Sequence, residues 1–171
     1  GTYLEIFLKN GCTKIKGFEY GYEYSKKYMS EGVVPFVSFG DVTKKLKINE
    51  KYDCGMSIEV AEHIPRESSN TLVDNLTKNA INVIIFTAAP PGQGGTGHIN
   101  CQPPEFWIEK FENRGWFLST KEVAEVKNKM IPINTFPPKD IQQNVEYYKS
   151  NLARLCWKWV YENLMIFRRN K

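Results

Sequence analysis

The run Val83-Ile84-Ile85-Phe86 constrains the fold more than any other segment. It is short, wholly apolar and rich in β-branched residues, and a loop rich in Pro and Gly, Pro90 to Gly97, follows it. Such a run reads as a strand buried on both faces, which requires helices above and below the sheet. The flanking sequence supplies them. Ser68 to Lys78 carries Leu72, Val73 and Leu76 at helical spacing, and Pro104 to Arg114 reads as a second helix ended by Gly115.

The same alternation runs along the whole chain. Thr2 to Lys9 predicts a helix stopped by Asn10-Gly11, and Thr13 to Glu19 a short strand ending in an acid. Tyr22 to Glu31 predicts a helix closed by Gly32, and Val33 to Phe39 a strand followed by Gly40-Asp41. Tyr52 to Ile58 predicts a further strand, and Trp116 to Leu118 a short one. Ser119-Thr120-Lys121-Glu122 is a capping-box pattern, opening a helix to about Met130. Asp140 to Tyr161 predicts a long amphipathic helix with Leu152, Leu155, Cys156, Trp159 and Val160 on one face. Leu164 to Phe167 predicts a closing strand. The expected class is α/β, a layered sheet of parallel strands in a single domain over residues 1–171.

Composition agrees. The 171 residues are 42% hydrophobic and 25% charged, which excludes a disordered, collagen-like or coiled-coil chain. No window of about 18 residues is free of charge, so no membrane-spanning helix is expected. The net charge of +4 permits an anionic ligand without demanding nucleic acid. Cys12, Cys54, Cys101 and Cys156 form no CxxC pair, which argues against a zinc ribbon. No charged-then-apolar leader is visible, and a reducing cytoplasm is the expected compartment.

In a sheet of this kind, ligands bind beyond the carboxyl ends of the strands. Glu19 ends the first strand, where an acid accepts hydrogen bonds from both hydroxyls of a ribose. Asp41 follows the next strand, where a carboxylate accepts from an adenine amino group. Glu59 and Glu62 follow Tyr52 to Ile58. Each alone also reads as a solvated loop acid. Together at strand ends they favour a nucleoside-shaped ligand.

Five segments occur in order: Gly1 to Leu8, Lys16-Gly-Phe-Glu19, Gly40-Asp41-Val42, Tyr52 through Ile58-Glu59-Val-Ala-Glu62-His63-Ile-Pro65, and Phe106-Trp107 to Gly115. With Ala88 to Asn100, they resemble class I S-adenosylmethionine-dependent methyltransferases over roughly Gly1 to Leu118. The resemblance implies a Rossmann-like methyltransferase sheet with helices on both faces, and S-adenosylmethionine as cofactor. It implies that Gly1 is the last glycine of the glycine-rich loop, that Glu19 binds the ribose and that Asp41 binds adenine, with Val42 against the ring. Glu59 would face cofactor and substrate. The family's first, central strand would precede Gly1. The expectation is thus a sheet truncated at its N-terminus, with that strand supplied by another segment or chain, or with the sheet closed up.

Glu59-x-x-Glu62-His63 followed by His98 forms a second constellation. Two carboxylates and two imidazoles suit Mg²⁺ or Mn²⁺. The pattern is similar to the metal sites of small-RNA 2′-O-methyltransferases and of ubiquinone-pathway O-methyltransferases. It also occurs where the histidine merely packs, and His63 or His98 as general base is an equal alternative. Gly92 to Gly97 lacks the Gly-Lys-Ser/Thr ending of a phosphate loop and reads as a flexible wall of the acceptor site. Trp157, Trp159 and Tyr161 with Arg168, Arg169 and Lys171 could suggest nucleic-acid stacking. Trp159, on the apolar face with Leu152, Leu155 and Cys156, reads instead as core packing, and the basic end as a solvated tail.

The leading expectation is O-methylation of a small-molecule or sugar acceptor. The alternatives are a truncated, non-catalytic partner subunit and a metal-dependent RNA 2′-O-methyltransferase.

Overall fold

The computed structural model describes residues 1–130 and 158–170. Its elements are α1 (Thr2–Lys9), β1 (Gly17–Glu19), α2 (Tyr22–Ser25), β2 (Val37–Phe39), β3 (Tyr52–Ile58), α3 (Ser69–Thr77), β4 (Ala80–Thr87), α4 (Pro104–Glu112), β5 (Trp116–Leu118), α5 (Thr120–Lys129) and β6 (Met165–Arg169). Most of the helix expected over Asp140 to Tyr161 lies outside the described residues. Residues 158–163 are helical.

The sheet is in two pieces. β1 pairs in parallel with β2, while β3, β4, β6 and β5 form a four-stranded sheet in that order. β3 and β4 run parallel, as expected. β6 runs antiparallel to both of its neighbours, against the expectation of an all-parallel sheet. The reason is local. Only Leu164 separates the helical residues 158–163 from β6, and Asn163 already sits at the carboxyl ends of β3 and β4. From there the chain can only run back along β4.

Two expected elements are shorter than their patterns. The strand expected over Val33 to Phe39 begins at Val37, because Val34–Phe36 forms a 3₁₀ turn. Pro35 fixes its own φ and offers no N–H to a ladder. The strand expected over Thr13 to Glu19 keeps only Gly17–Glu19, the three residues that its short partner can pair. The helix from Tyr22 likewise passes into a 3₁₀ turn, Lys26–Tyr28, and Met29 is extended. With no residue of α2 buried, nothing repays its extension.

α3 and α4 pack on β4. Phe86, Trp107, Phe111, Trp116 and Phe167 are wholly buried in the core, with Leu72, Val73 and Ile84. Phe111 stacks on Phe167 at 4.1 Å and meets Phe86 edge-on at 5.2 Å. Each such ring contributes about 1.5–3 kcal/mol by leaving water. Asn75 on α3 ties the loop after β2 to this core. Its Oδ1 accepts from Leu46 N at 3.0 Å, and its Nδ2 donates to the carbonyls of Lys44 at 2.9 Å and Val42 at 3.3 Å. Among the described residues, no helix is long and apolar enough to cross a membrane.

Candidate functional site

The residues singled out in the sequence gather at strand ends. The β1–β2 register sets Glu19 opposite Phe39, and Gly40 N donates to Glu19 O at 3.2 Å. Glu19 and Asp41 therefore stand at adjacent strand tips. Gly40 is required there, since a Cβ would lie 2.6 Å from the ring of Phe18. Glu19 Oε1 accepts from Gly21 N at 3.0 Å. Asp41 Oδ1 accepts from the backbone N–H of Thr43 at 3.0 Å and from its hydroxyl at 2.6 Å. These bonds, with Lys44 nearby, hold the Asp41 carboxyl below the usual carboxylate range. Gly1 caps the first turn of α1, its carbonyl accepting from Glu5 N. Val42, expected against a nucleoside ring, packs partly on the core.

The second constellation forms where β3 and β4 end. Glu59 has φ 50, left-handed for a residue with a side chain. Such a conformation costs about 1–3 kcal/mol and persists only where its surroundings enforce it. Here Glu59 N donates to Thr87 Oγ1 at 2.9 Å, at the end of β4. A 3₁₀ turn, Ala61–His63, follows and drives Glu62 inward to full burial.

The loop after β4 closes over that turn. Ile99 N and Asn100 N donate to the Glu62 carbonyl at 2.9 and 3.0 Å. Asn100 Nδ2 donates to Ala61 O and Ser69 Oγ, each at 3.2 Å. This brings the two histidines together with ring centroids 4.9 Å apart. His63 Nδ1 faces Gly97 O at 3.1 Å, and His98 Nδ1 faces Gln93 O at 3.3 Å. A carbonyl only accepts, so both rings are assigned Nδ1–H, which leaves Nε2 as the lone-pair nitrogen. Such an outer hydrogen bond is the usual support of a metal-binding imidazole. The glycines make the closure possible: a Cβ on Gly95 would lie 2.2 Å from His98 Nε2, and Gly97 has φ 75.

Glu62, His63 and His98 each offer a ligand atom within 4.8 Å of the other two. Both carboxylate oxygens of Glu62 are buried without a hydrogen-bond partner. Burial foremost pushes this carboxyl up to about 7; the adjacent Glu59 adds to the rise, and the Glu62 and Ala89 N–H groups oppose it. An unpaired buried carboxyl beside two supported imidazoles is a donor set that a divalent cation satisfies.

The structure does not bring Glu59 into this cluster. Its Oε2 accepts from Gln93 Nε2 at 3.0 Å and its Oε1 from Asn163 Nδ2 at 3.2 Å. The sequence marked Gln93 only as part of a loop, and nothing marked Asn163. Both line a cavity of about 720 Å³, walled mainly by apolar side chains that include Ile108, Leu118, Trp159 and Met165.

No family model and no curated protein matches this chain. Solved structures do. "StiE O-MT residues 961-1257" aligns over 100% of this chain and 64% of its own, with TM-score 0.56 and 16% identity. The O-methyltransferase of a trans-AT polyketide synthase multienzyme of Brevibacillus brevis, solved with S-adenosyl-L-homocysteine, aligns over 91% and 58%, with TM-score 0.53 and 13% identity. A pericyclic reaction enzyme aligns over 70% and 35%, with TM-score 0.51 and 8% identity. The chain thus spans 35% to 64% of the length of these structures. At such identities the likeness establishes the fold alone, a Rossmann-like α/β sheet flanked by helices and shared with these structures. The pericyclic enzyme illustrates that chemistry lies in the site rather than in the fold.

Proposed function

We propose that this chain, built on the class I methyltransferase fold, forms part of an S-adenosylmethionine-dependent enzyme that methylates an oxygen of a small-molecule or sugar acceptor. The observation that carries this reading is the placing of Glu19 and Asp41 at the tips of adjacent parallel strands. Two acids at such tips suit the ribose and adenine of one nucleoside. The likeness to two O-methyltransferases, one solved with S-adenosyl-L-homocysteine, supports it.

Bound cofactor supplies an electrophilic methyl group on a sulfonium, and a divalent cation at Glu62, His63 and His98 supplies a Lewis acid that lowers the pKa of a hydroxyl. The protein's own work is positional. Glu19 and Asp41 hold the nucleoside. The cofactor so held would supply its methyl group to an acceptor oxygen and leave as the neutral thioether, and the acceptor's hydroxyl proton would pass to a base of this chain. Glu59 is that base, its carboxylate held by Gln93 and Asn163, two residues that line the apolar cavity. One carboxylate with two imidazoles favours Mn²⁺ over the all-oxygen preference of Mg²⁺. The separation of β1–β2 from β3 leaves room in this reading for a further strand, from another segment or chain.

Calorimetry with S-adenosyl-L-homocysteine tests the assignment. Binding is expected, and Glu19→Ala and Asp41→Ala should each weaken it about tenfold or more. A folded protein with no affinity for this nucleoside would instead point to a non-catalytic partner subunit. Full methyl transfer in EDTA would remove the metal.

A further inference from the structure

Glu59, Gln93 and Asn163 form a closed hydrogen-bond triad drawn from three distant parts of the chain. Asn163 Nδ2 carries two hydrogens. One goes to Glu59 Oε1, and the other goes to Gln93 Oε1 at 2.9 Å. That second bond fixes which way the Gln93 amide faces. Its Nε2 is turned to Glu59 Oε2, where it donates at 3.0 Å. This orientation pairs a polar atom on all three side chains. Each oxygen of Glu59 is thus held by one amide, and Thr87 pins the left-handed backbone beneath it. Gln93 does a second job. Its carbonyl faces His98 Nδ1, so the same residue supports an imidazole of the cluster.

This arrangement matters because Glu59 lies against Glu62, whose carboxyl it helps push up, yet is not one of the three residues whose ligand atoms lie close together. An unrestrained carboxylate there would be drawn towards any cation bound by Glu62, His63 and His98. We propose that Gln93 and Asn163 are positioning residues that divide the work of the two acids: from the lining of the apolar cavity they hold the Glu59 carboxylate towards the acceptor side, and keep it from becoming a metal ligand. The inference rests on the metal reading above. It adds an assignment that neither the acids nor the histidines show by themselves. The site has three protein ligands, leaving coordination positions open, and the fourth candidate is withheld by two amides.

Electron paramagnetic resonance of Mn²⁺ added to the full chain tests it without any acceptor. Glu62→Gln should weaken Mn²⁺ binding at least about tenfold, and Glu59→Gln should leave it within about twofold. Asn163→Leu frees the Glu59 carboxylate and should tighten Mn²⁺ binding at least about threefold. The double variant Glu59→Gln/Asn163→Leu should return to within about twofold of wild type. Gln93→Ala, in an exposed loop, should tighten binding in the same direction and covers the case in which Asn163→Leu fails to fold. A merely structural role predicts the opposite sign, because damage loosens a site and a second substitution does not repair it. Weakening by Glu59→Gln equal to that by Glu62→Gln would overturn the division of work. So would unchanged or weaker binding in the folded amide variants. Absence of Mn²⁺ binding by the wild type would remove the metal reading itself, and this proposal with it.

Discussion

Replacing Glu62 by glutamine removes a buried carboxyl while preserving its shape, and its effect can be worked out with sign and size. In the metal-free protein, burial raises this carboxyl from an ordinary 4.5 to about 7. The folded state therefore binds the proton more tightly than the unfolded state. Stability that depends on the protonated form is fully present below about pH 4.5 and is lost as pH rises to about 7. The gap corresponds to about 3 kcal/mol. Glutamine has no such dependence, although its unpaired buried amide carries a constant cost of about 1–3 kcal/mol. Urea unfolding in EDTA, with stability taken by linear extrapolation at pH values from about 4.5 to 8, reads both proteins directly. The stability of wild type relative to Glu62→Gln should fall by about 3 kcal/mol across that range. Saturating Mn²⁺ should flatten the fall for the wild type alone, because the cation takes the ionised carboxylate. A difference that stays constant to within about 1 kcal/mol from acid to base would refute the placing of Glu62 as a buried, unpaired acid.

Further outcomes follow from the same contacts. Gly95→Ala would set a Cβ 2.2 Å from His98 Nε2; Mn²⁺ affinity should drop about tenfold or more while the urea midpoint holds, and retained affinity would show that the ring has another place to go. Asn75→Leu removes a clasp of three hydrogen bonds on the loop after β2, for an expected loss of about 2–3 kcal/mol in urea unfolding and weaker S-adenosyl-L-homocysteine binding in calorimetry. Phe111→Ala vacates the stack on Phe167 and should cost about 3–5 kcal/mol by thermal or urea unfolding. Glu122→Ala breaks a paired but accessible contact with Arg168, and a loss above about 1 kcal/mol would contradict the weakness expected of surface ion pairs.

Much of the fold was legible along the chain because it is set by short-range sterics and periodicity. The Val83 to Phe86 run lies within β4, and Tyr52 to Ile58 is β3 to the residue. Half of the capping box at Ser119 forms: its Oγ accepts from Glu122 N at the start of α5, while Ser119 N donates to Ile166 O and the Glu122 carboxylate pairs with Arg168. Pro35, inside the strand expected over Val33 to Phe39, is the local signal that shortens it to Val37–Phe39.

The candidate site divides in the same way. Glu-x-x-Glu-His after a strand, and a second histidine in the next strand's loop, were visible as residue types at loop positions. That Glu62 is buried, that His63 and His98 meet, and that Glu59 turns aside are consequences of packing between segments. Asn163 reaches Glu59 from 104 residues away. β6 takes its antiparallel course from where the residues before it are anchored. Local sequence determined which elements form and which chemical groups stand at their ends. Only the tertiary structure decided which of those groups share an environment, because burial and hydrogen-bond partnership depend on chain segments brought together from far apart.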